Sequence, residues 1–350
     1  MNSSHPSQDV FQLNAIFTTD VRALFGTIGL ILVITGLLGN SFVCLVVFKT
    51  KVKKNSTNIL IANLAIADLI QCLNTGTIAA TVISGKWLFG HIGCRISAYV
   101  MMCTVFASLY LLGLISINRF CNIKYPMNYH QLFSIKRTWI MVLLTWVAAF
   151  IASSPPLYGL EFATYEFRPT RCLCSMDFHK SSRFFVSYTV ISALPVFLII
   201  VLYLQIFKIV RRSRRKVTFD LKSSFGPRQY GWKPETSTSQ VSLKIIGNER
   251  GKGQLSDLTD NNSSKTAYGN SGMLMITIML FVIILIFFVV YTPAMVVNAL
   301  EMVNPWKKPN VWVDISVTLL AFSNHAINPI VYGFMNTQYR KAFKHYFLFC

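Results

Sequence analysis

The sequence predicts an all-α membrane protein, a seven-transmembrane helix bundle closed by a short amphipathic helix. Three observations carry this. Its 350 residues are 53% hydrophobic and 13% charged, at a mean hydropathy of +0.49, where a soluble domain carries roughly 25% charged residues. The apolar residues gather into seven stretches, each longer than the roughly 20 residues a helix needs to cross the hydrocarbon core. The basic residues crowd into a few of the links between them.

The stretches run 22–48, 57–83, 91–123, 138–158, 184–210, 273–302 and 310–334. Helices are expected, because backbone groups in lipid must be satisfied within the segment, and a β-barrel would show short alternating strands. Lys51, Lys53 and Lys54 follow the first stretch, Lys124, Lys136 and Arg137 the third, Arg211, Arg212, Arg214, Arg215 and Lys216 the fifth, and Arg340, Lys341 and Lys344 the seventh. The positive-inside rule makes those links cytoplasmic and puts the N-terminus outside, at the plasma membrane. The net charge of +20 is then a topology and lipid-headgroup signal, about 1 kcal/mol per basic residue against anionic membrane lipids. No nucleic-acid partner is expected.

Residues 1–21 form an extracellular N-terminus without the basic and apolar regions of a cleavable signal peptide. Asn2 opens the sequon Asn2-Ser3-Ser4 and is the candidate glycosylation site, whereas Asn55-Ser56-Thr57 is cytoplasmic and stays unmodified. Residues 22–335 form the membrane domain, interrupted at 211–270 by a polar segment that reads as a disordered third cytoplasmic loop. Residues 336–350 carry Tyr339, Ala342, Phe343 and Tyr346 on one helical face, with Arg340, Lys341 and Lys344 to the other side. That is an amphipathic helix lying on the inner membrane surface. Cys350, beside it, is the candidate palmitoylation site, set against a buried thiol at a frayed end.

Polar residues inside the spans mark function. Arg119 ends the third stretch, and Asp68 lies in the middle of the second. Asn40, Ser108, Asn324 and Asn328 are candidate companions for Asp68. They form either an oxygen-rich cage for sodium or partners of a protonated carboxyl. His325 has no metal-ligand spacing and no nucleophile near it, and reads as a satisfied core histidine, so no enzyme is expected. A secondary transporter would show an internal repeat, and none is visible. Pro126, Pro155, Pro156, Pro195, Pro293 and Pro329 permit bends in or beside spans. Trp146 reads as a packing residue. Cys44, Cys72, Cys103 and Cys121 fall in or at the ends of spans as small hydrophobes. On the outer side, Cys94 can pair with Cys174, the preferred partner, or with Cys172.

These residues together resemble the rhodopsin-like (class A) G-protein-coupled receptors over nearly the whole chain. The resemblance rests on Gly39-Asn40, Leu64 with Asp68, Trp87 before Cys94, Asn118-Arg119-Phe120, Trp146, Pro195 with Tyr203, Phe287 with Pro293, and Asn328-Pro329 with Tyr332. Within the class, Trp87, Gly90, Cys94, Ile96 and Ser97, with Asn118-Arg119-Phe120-Cys121 and Tyr332-Gly333, resemble melatonin receptors and their orphan and medium-chain fatty-acid-receptor relatives. The resemblance implies coupling to a heterotrimeric G protein, of inhibitory subtype by family weight. Arg119, Tyr203, Phe287, Tyr291, Pro293, Asn328, Pro329 and Tyr332 would rearrange on activation. Met127 would contact the G protein, and Thr236, Ser237, Thr238 and Ser239 would be phosphosites for arrestin. No cofactor is implied beyond the allosteric sodium ion at Asp68, Ser108, Asn324 and Asn328.

Departures from the pattern shape the expectations. Asn118 stands where most of the class carries an acid, and no acid opens the sixth stretch near Met273. A weak inactive-state lock and appreciable basal signalling follow. Tyr291 replaces the usual tryptophan. Met101 stands where amine receptors carry an aspartate, Phe322 where opsins carry the retinal lysine, and Pro156 where melatonin receptors carry an asparagine. Amines, retinal and melatonin itself are thereby disfavoured. The expected pocket is ringed by Met101, Met102, Val105, Phe185, Tyr188, Tyr291, Met295, Asn298, Thr318 and Phe322. Arg168, Arg171, Lys180 and Arg183 lie above it. They either bind an acidic headgroup or form a solvated surface offset by Glu161, Glu166 and Asp177, the reading slightly favoured. A small apolar or lipid-like ligand is expected, with a peptide ligand or a constitutively active receptor as the alternative.

Overall fold

The structure, a computed structural model of the chain, describes residues 13, 16–49, 55–158, 164–176, 182–224, 252–304 and 310–347. Seven long helices succeed one another: α1 (Thr19–Lys49), α2 (Ser56–Ser84), α3 (Gly90–Lys124), α5 (Ile135–Ser153), α6 (Ser182–Ser224), α7 (Lys252–Val303) and α8 (Val311–Met335). Two short ones, α4 (Pro126–Leu132) and α9 (Thr337–Phe347), lie outside the bundle proper. Six of the long helices are apolar enough to cross a membrane. The seventh, α8, has 25 residues, but Asp314, Asn324, His325 and Asn328 dilute its apolar character.

Helix starts follow capping chemistry. The side chain of Asn55 accepts from Asn58 N at 2.8 Å to open α2, and that of Asn310 accepts from Trp312 N at 2.9 Å to open α8. Pro126 opens α4, where its missing N–H costs nothing. α5 stops at Ser153, short of the expected residue 158, because Pro155 and Pro156 turn the chain into a 3₁₀ helix, Pro155–Tyr158. α2 ends on Gly85, whose φ of 74° a side chain would resist.

The expected loop over 211–270 is helical at both ends. α6 runs on to Ser224 and α7 begins at Lys252. A helix leaving the bilayer keeps its internal hydrogen bonds in water, and Arg211, Arg212 and Arg215 are good helix formers. Asn2, Glu161, Asp177, Lys180, Thr236, Ser237, Thr238, Ser239 and Cys350 lie outside the described residues. At the other end, α1 begins at Thr19, and Leu13 and Phe17 ahead of it are buried in the core.

α3 is the axis of the bundle, packing against α2, α5 and α6, while α1 packs on α2 and α8, and α7 on α8. A Cβ on Gly39 would overlap the Pro329 ring, so α1 and α8 approach closely there. Two large cores result. One joins Leu64, Leu112, Ile115, Tyr203, Ile283, Phe287 and Tyr332. The other joins Trp87, Met102, Phe106, Tyr165, Met176 and Tyr188. Leu38, Leu143, Leu144, Phe197 and Val289 point outward and are exposed, as the lipid face of a membrane bundle requires.

Between α5 and α6 the chain forms a hairpin of β1 (Tyr165–Arg168) and β2 (Leu173–Met176), with Tyr165 opposite Met176 and Phe167 opposite Cys174. Tyr165 and Phe167 of β1 point into the core, and all four residues of β2 are buried. A disulfide joins Cys174 to Cys94 in the first turns of α3, the pairing preferred from sequence. Cys172 stays a free, buried thiol.

Candidate functional site

A cavity of about 110 Å³ opens among α2, α3, α6, α7 and α8. Met101, Met102, Val105, Arg171, Tyr188, Tyr291, Met295, Asn298, Thr318 and Phe322 all line it. Gln71, Ala294, Ala321 and three residues of β2, Leu173, Ser175 and Met176, complete the wall, and sequence reasoning had missed them. The hairpin is therefore the roof. Leu173 packs with Ile78 and Phe322, and Met176 belongs to the core around Phe106 and Tyr188. Gln71 is held at one end, where Thr104 Oγ1 donates to its Oε1 at 2.8 Å. Its Nε2, like Ser175 Oγ, is buried without a hydrogen-bond partner.

Arg171 lines the cavity and is held by acids of α7 and α8. Its guanidinium donates to Glu301 at 2.8 Å through Nη2, to Asn298 at 2.6 Å through Nη1 and to Asp314 at 3.1 Å through Nε. Arg168 Nη2 donates to the second Glu301 oxygen at 2.8 Å, and Thr170 Oγ1 to the second Asp314 oxygen at 2.6 Å. Arg171, Glu301 and Asp314 are all buried, so the arginine is not part of a solvated surface. Local geometry aims it: Pro169 starts a 3₁₀ turn, Pro169–Arg171, and Cys172 at φ 55° reverses the chain into β2. One loop residue thereby ties the outer ends of α7 and α8 together. Burial also pushes the Cys172 thiol up to about 12, so it stays protonated and unreactive.

Beneath the cavity lies a polar core. His325 Nδ1 is 2.8 Å from Asp68 Oδ1, and Asn328 Nδ2 donates to Asp68 Oδ2 at 2.9 Å. The Tyr291 hydroxyl, which also lines the cavity, is 3.4 Å from His325 Nε2. Asn40 Nδ2 donates to the carbonyls of Gly36 and His325, each at 2.9 Å. His325 is thus the satisfied core histidine that the sequence suggested. Ser108 Oγ, Asn324 Oδ1 and Asn328 Oδ1 are buried without partners.

At the far end of α3, Thr57 Oγ1 donates to Asn118 Oδ1 at 2.9 Å, and Asn118 Nδ2 donates to the Tyr129 hydroxyl of α4 at 3.1 Å. Arg119 is buried with an unpartnered Nε, and no ion pair among the described residues includes it. Tyr203 and Tyr332 are buried in the same core as Phe287, the Tyr332 hydroxyl unpartnered. Phe287 packs on Tyr291 at 4.6 Å, and Tyr332 stacks on Tyr339 of α9 at 5.8 Å. Pro293 and Pro329 lie inside α7 and α8. Lys124 sits over the Phe120 ring at 5.0 Å. Met127, on α4, is 89% exposed.

The model of the 7 transmembrane receptor (rhodopsin family) matches residues 39–332, which takes in Asn40, Asp68, Arg119 and Tyr332 together. The chain belongs to that family. It is a class A G-protein-coupled receptor related to the melatonin receptors, and no enzyme. Melatonin receptor type 1A of Mus musculus is 25% identical to it over 326 residues, 92% of this chain and 80% of that protein. The alpha-1A adrenergic receptor of Homo sapiens is 27% identical over 319 residues, covering 89% of this chain and 65% of the relative. The crystal structure of squid rhodopsin matches all of this chain and 91% of its own, with a TM-score of 0.78 at 20% identity. That likeness speaks for the fold. As a receptor of this family, the chain has an extracellular ligand and a G protein as its partners.

Proposed function

We propose that this receptor answers a compact, uncharged, mostly apolar ligand that carries one hydrogen-bonding oxygen. The cavity beneath β2 carries the reading. Its volume of about 110 Å³ is small beside the roughly 300–1,000 Å³ of drug-sized sites, which argues against a long acyl chain. The one charged residue in its wall, Arg171, is neutralised by Glu301 and Asp314, which argues against an acidic headgroup. The unpartnered Gln71 Nε2 and Ser175 Oγ are the groups that a ligand oxygen would satisfy.

Binding shifts the bundle through its differential affinity for the active state. Tyr291 touches both the cavity and the polar core, so it is the residue through which the ligand acts on α8. Arg119, Tyr203 and Tyr332 then rearrange, and an inhibitory Gα binds against Met127. Arrestin contacts fall to the third cytoplasmic loop. The Cys94–Cys174 bridge suits an oxidising face, which supports an extracellular hairpin and N-terminus at the plasma membrane. Asn2 is the glycosylation site and Cys350 the palmitoylation site of this reading.

The test is inhibition of forskolin-raised cAMP in cells expressing the receptor, with Arg119→Ala as the signalling-dead control. The panel holds indoles, short alcohols and ketones, medium-chain fatty acids, lysophospholipids, amines and peptides. Responses confined to uncharged compact compounds, weakened roughly tenfold or more by Gln71→Leu, are expected. Responses confined to fatty acids, lysophospholipids or peptides would sink the reading.

A further inference from the structure

The polar core around Asp68 does not fit the ion that the family resemblance places there. A sodium cage of Asp68, Ser108, Asn324 and Asn328 needs oxygens facing inward, with the carboxylate as the charged wall. In this chain nitrogens face the carboxylate: His325 Nδ1 stands at Oδ1 and the Asn328 amide nitrogen at Oδ2. The tautomer that satisfies the imidazole carries its hydrogen on Nδ1 and lets Nε2 accept from the Tyr291 hydroxyl. Both carboxylate oxygens then meet the positive ends of N–H dipoles, where a cation would be repelled.

The imidazole is also fixed in place. Asp68 is fully buried and His325 is 2% exposed, and the Asn40 amide ties the His325 carbonyl to α1. Moving the ring aside for an ion would bury two separated polar groups, each costing about 1–3 kcal/mol. The oxygens left over, Ser108 Oγ, Asn324 Oδ1 and Asn328 Oδ1, are neutral acceptors of the sort that buried waters serve.

We propose that His325 replaces the ion: it is the built-in partner of Asp68, and the core of this receptor takes no sodium. The inference rests on family membership and on the geometry at Asp68, and stands or falls independently of the ligand class. Its consequence is a receptor whose conformational balance does not respond to the sodium gradient.

The experiment is thermal unfolding of the purified full-length receptor in equal concentrations of sodium, potassium and N-methyl-D-glucamine chloride. The wild type is expected to give one Tm in all three. His325→Ser frees Oδ1 and supplies an oxygen, and a sodium-specific rise of about 2–4 °C is expected, abolished by adding Asp68→Asn. His325→Asn returns an N–H toward Asp68 and stays indifferent to sodium. A sodium-specific rise in the wild type, or in His325→Asn, would overturn the proposal. So would a folded His325→Ser with the same Tm in every salt. Should His325→Ser not be recovered, the same comparison on His325→Ala, with the same expected gain, decides.

Discussion

Arg171 Nη2 lies 2.8 Å from Glu301 Oε1, and both side chains are shielded from solvent. With Asp314 on the other edge of the guanidinium, the loop between α5 and α6 is bolted to the outer ends of two helices. A buried charge of this kind matters most when one partner is removed. Arg171→Ala strands Asp314 in the interior and leaves Glu301 with Arg168 alone, and is expected to cost about 3–5 kcal/mol. Surface expression and thermal stability of the variant check it. Arg171→Lys should recover little, because an ammonium cannot reach Asn298, Glu301 and Asp314 at once.

Removing all the charges together is a different matter. The quadruple variant Arg168→Met, Arg171→Met, Glu301→Gln, Asp314→Asn leaves no orphaned ion in this network and should be more stable than Arg171→Ala by about 2 kcal/mol or more. Thermal unfolding of the variants measures the coupling directly, and equal stabilities would show that the network is not acting as a unit.

Gln71 gives a prediction of opposite sign. Its Nε2 is buried without a partner, and such a donor costs about 1–3 kcal/mol. Gln71→Leu should therefore raise the Tm of the ligand-free receptor by a few degrees. A lower Tm would mean that the amide is already satisfied and is not waiting for a ligand.

Asn118→Asp places a carboxylate beside Arg119, which lacks one among the described residues. The new pair stabilises the inactive arrangement, and basal G-protein activation per surface receptor should fall roughly fivefold or more. Unchanged basal activity would mean that Arg119 is held by other means.

The Cys172 thiol has its ordinary value of 9.0 pushed up to about 12 by burial. The unfolded chain thus releases this proton first as pH rises. The stability linked to it is fully present below pH 9 and is lost progressively as pH climbs toward about 12. Cys172→Ala should flatten the decline in unfolding free energy above about pH 9, by up to about 1.4 kcal/mol per pH unit.

Local signals in the sequence reached far. Hydropathy and length located the seven long helices, Cys94 with Cys174 preferred over Cys172 suggested the bridge, and residues spaced along separate helices converge on one cavity. What escaped were pairings without a local signal. Arg171 meets Glu301 and Asp314 across 130 and 143 residues of chain. Yet acids at the outer ends of apolar spans are rare, and each calls for a partner. The hairpin had a trace too, since Tyr165, Glu166, Phe167 and Arg168 alternate apolar and polar. The helical ends of the segment between α6 and α7 had none: polar composition describes solvent exposure and is silent about backbone conformation.

The roof over the cavity has a consequence in time. From Arg171 to Met176 every side chain is buried, and the disulfide and the ion pairs with α7 and α8 hold this stretch down. A molecule leaving the cavity past β2 must wait for those ties to loosen together. For that route the residence time depends on Glu301 and Asp314, outside the wall the molecule touches.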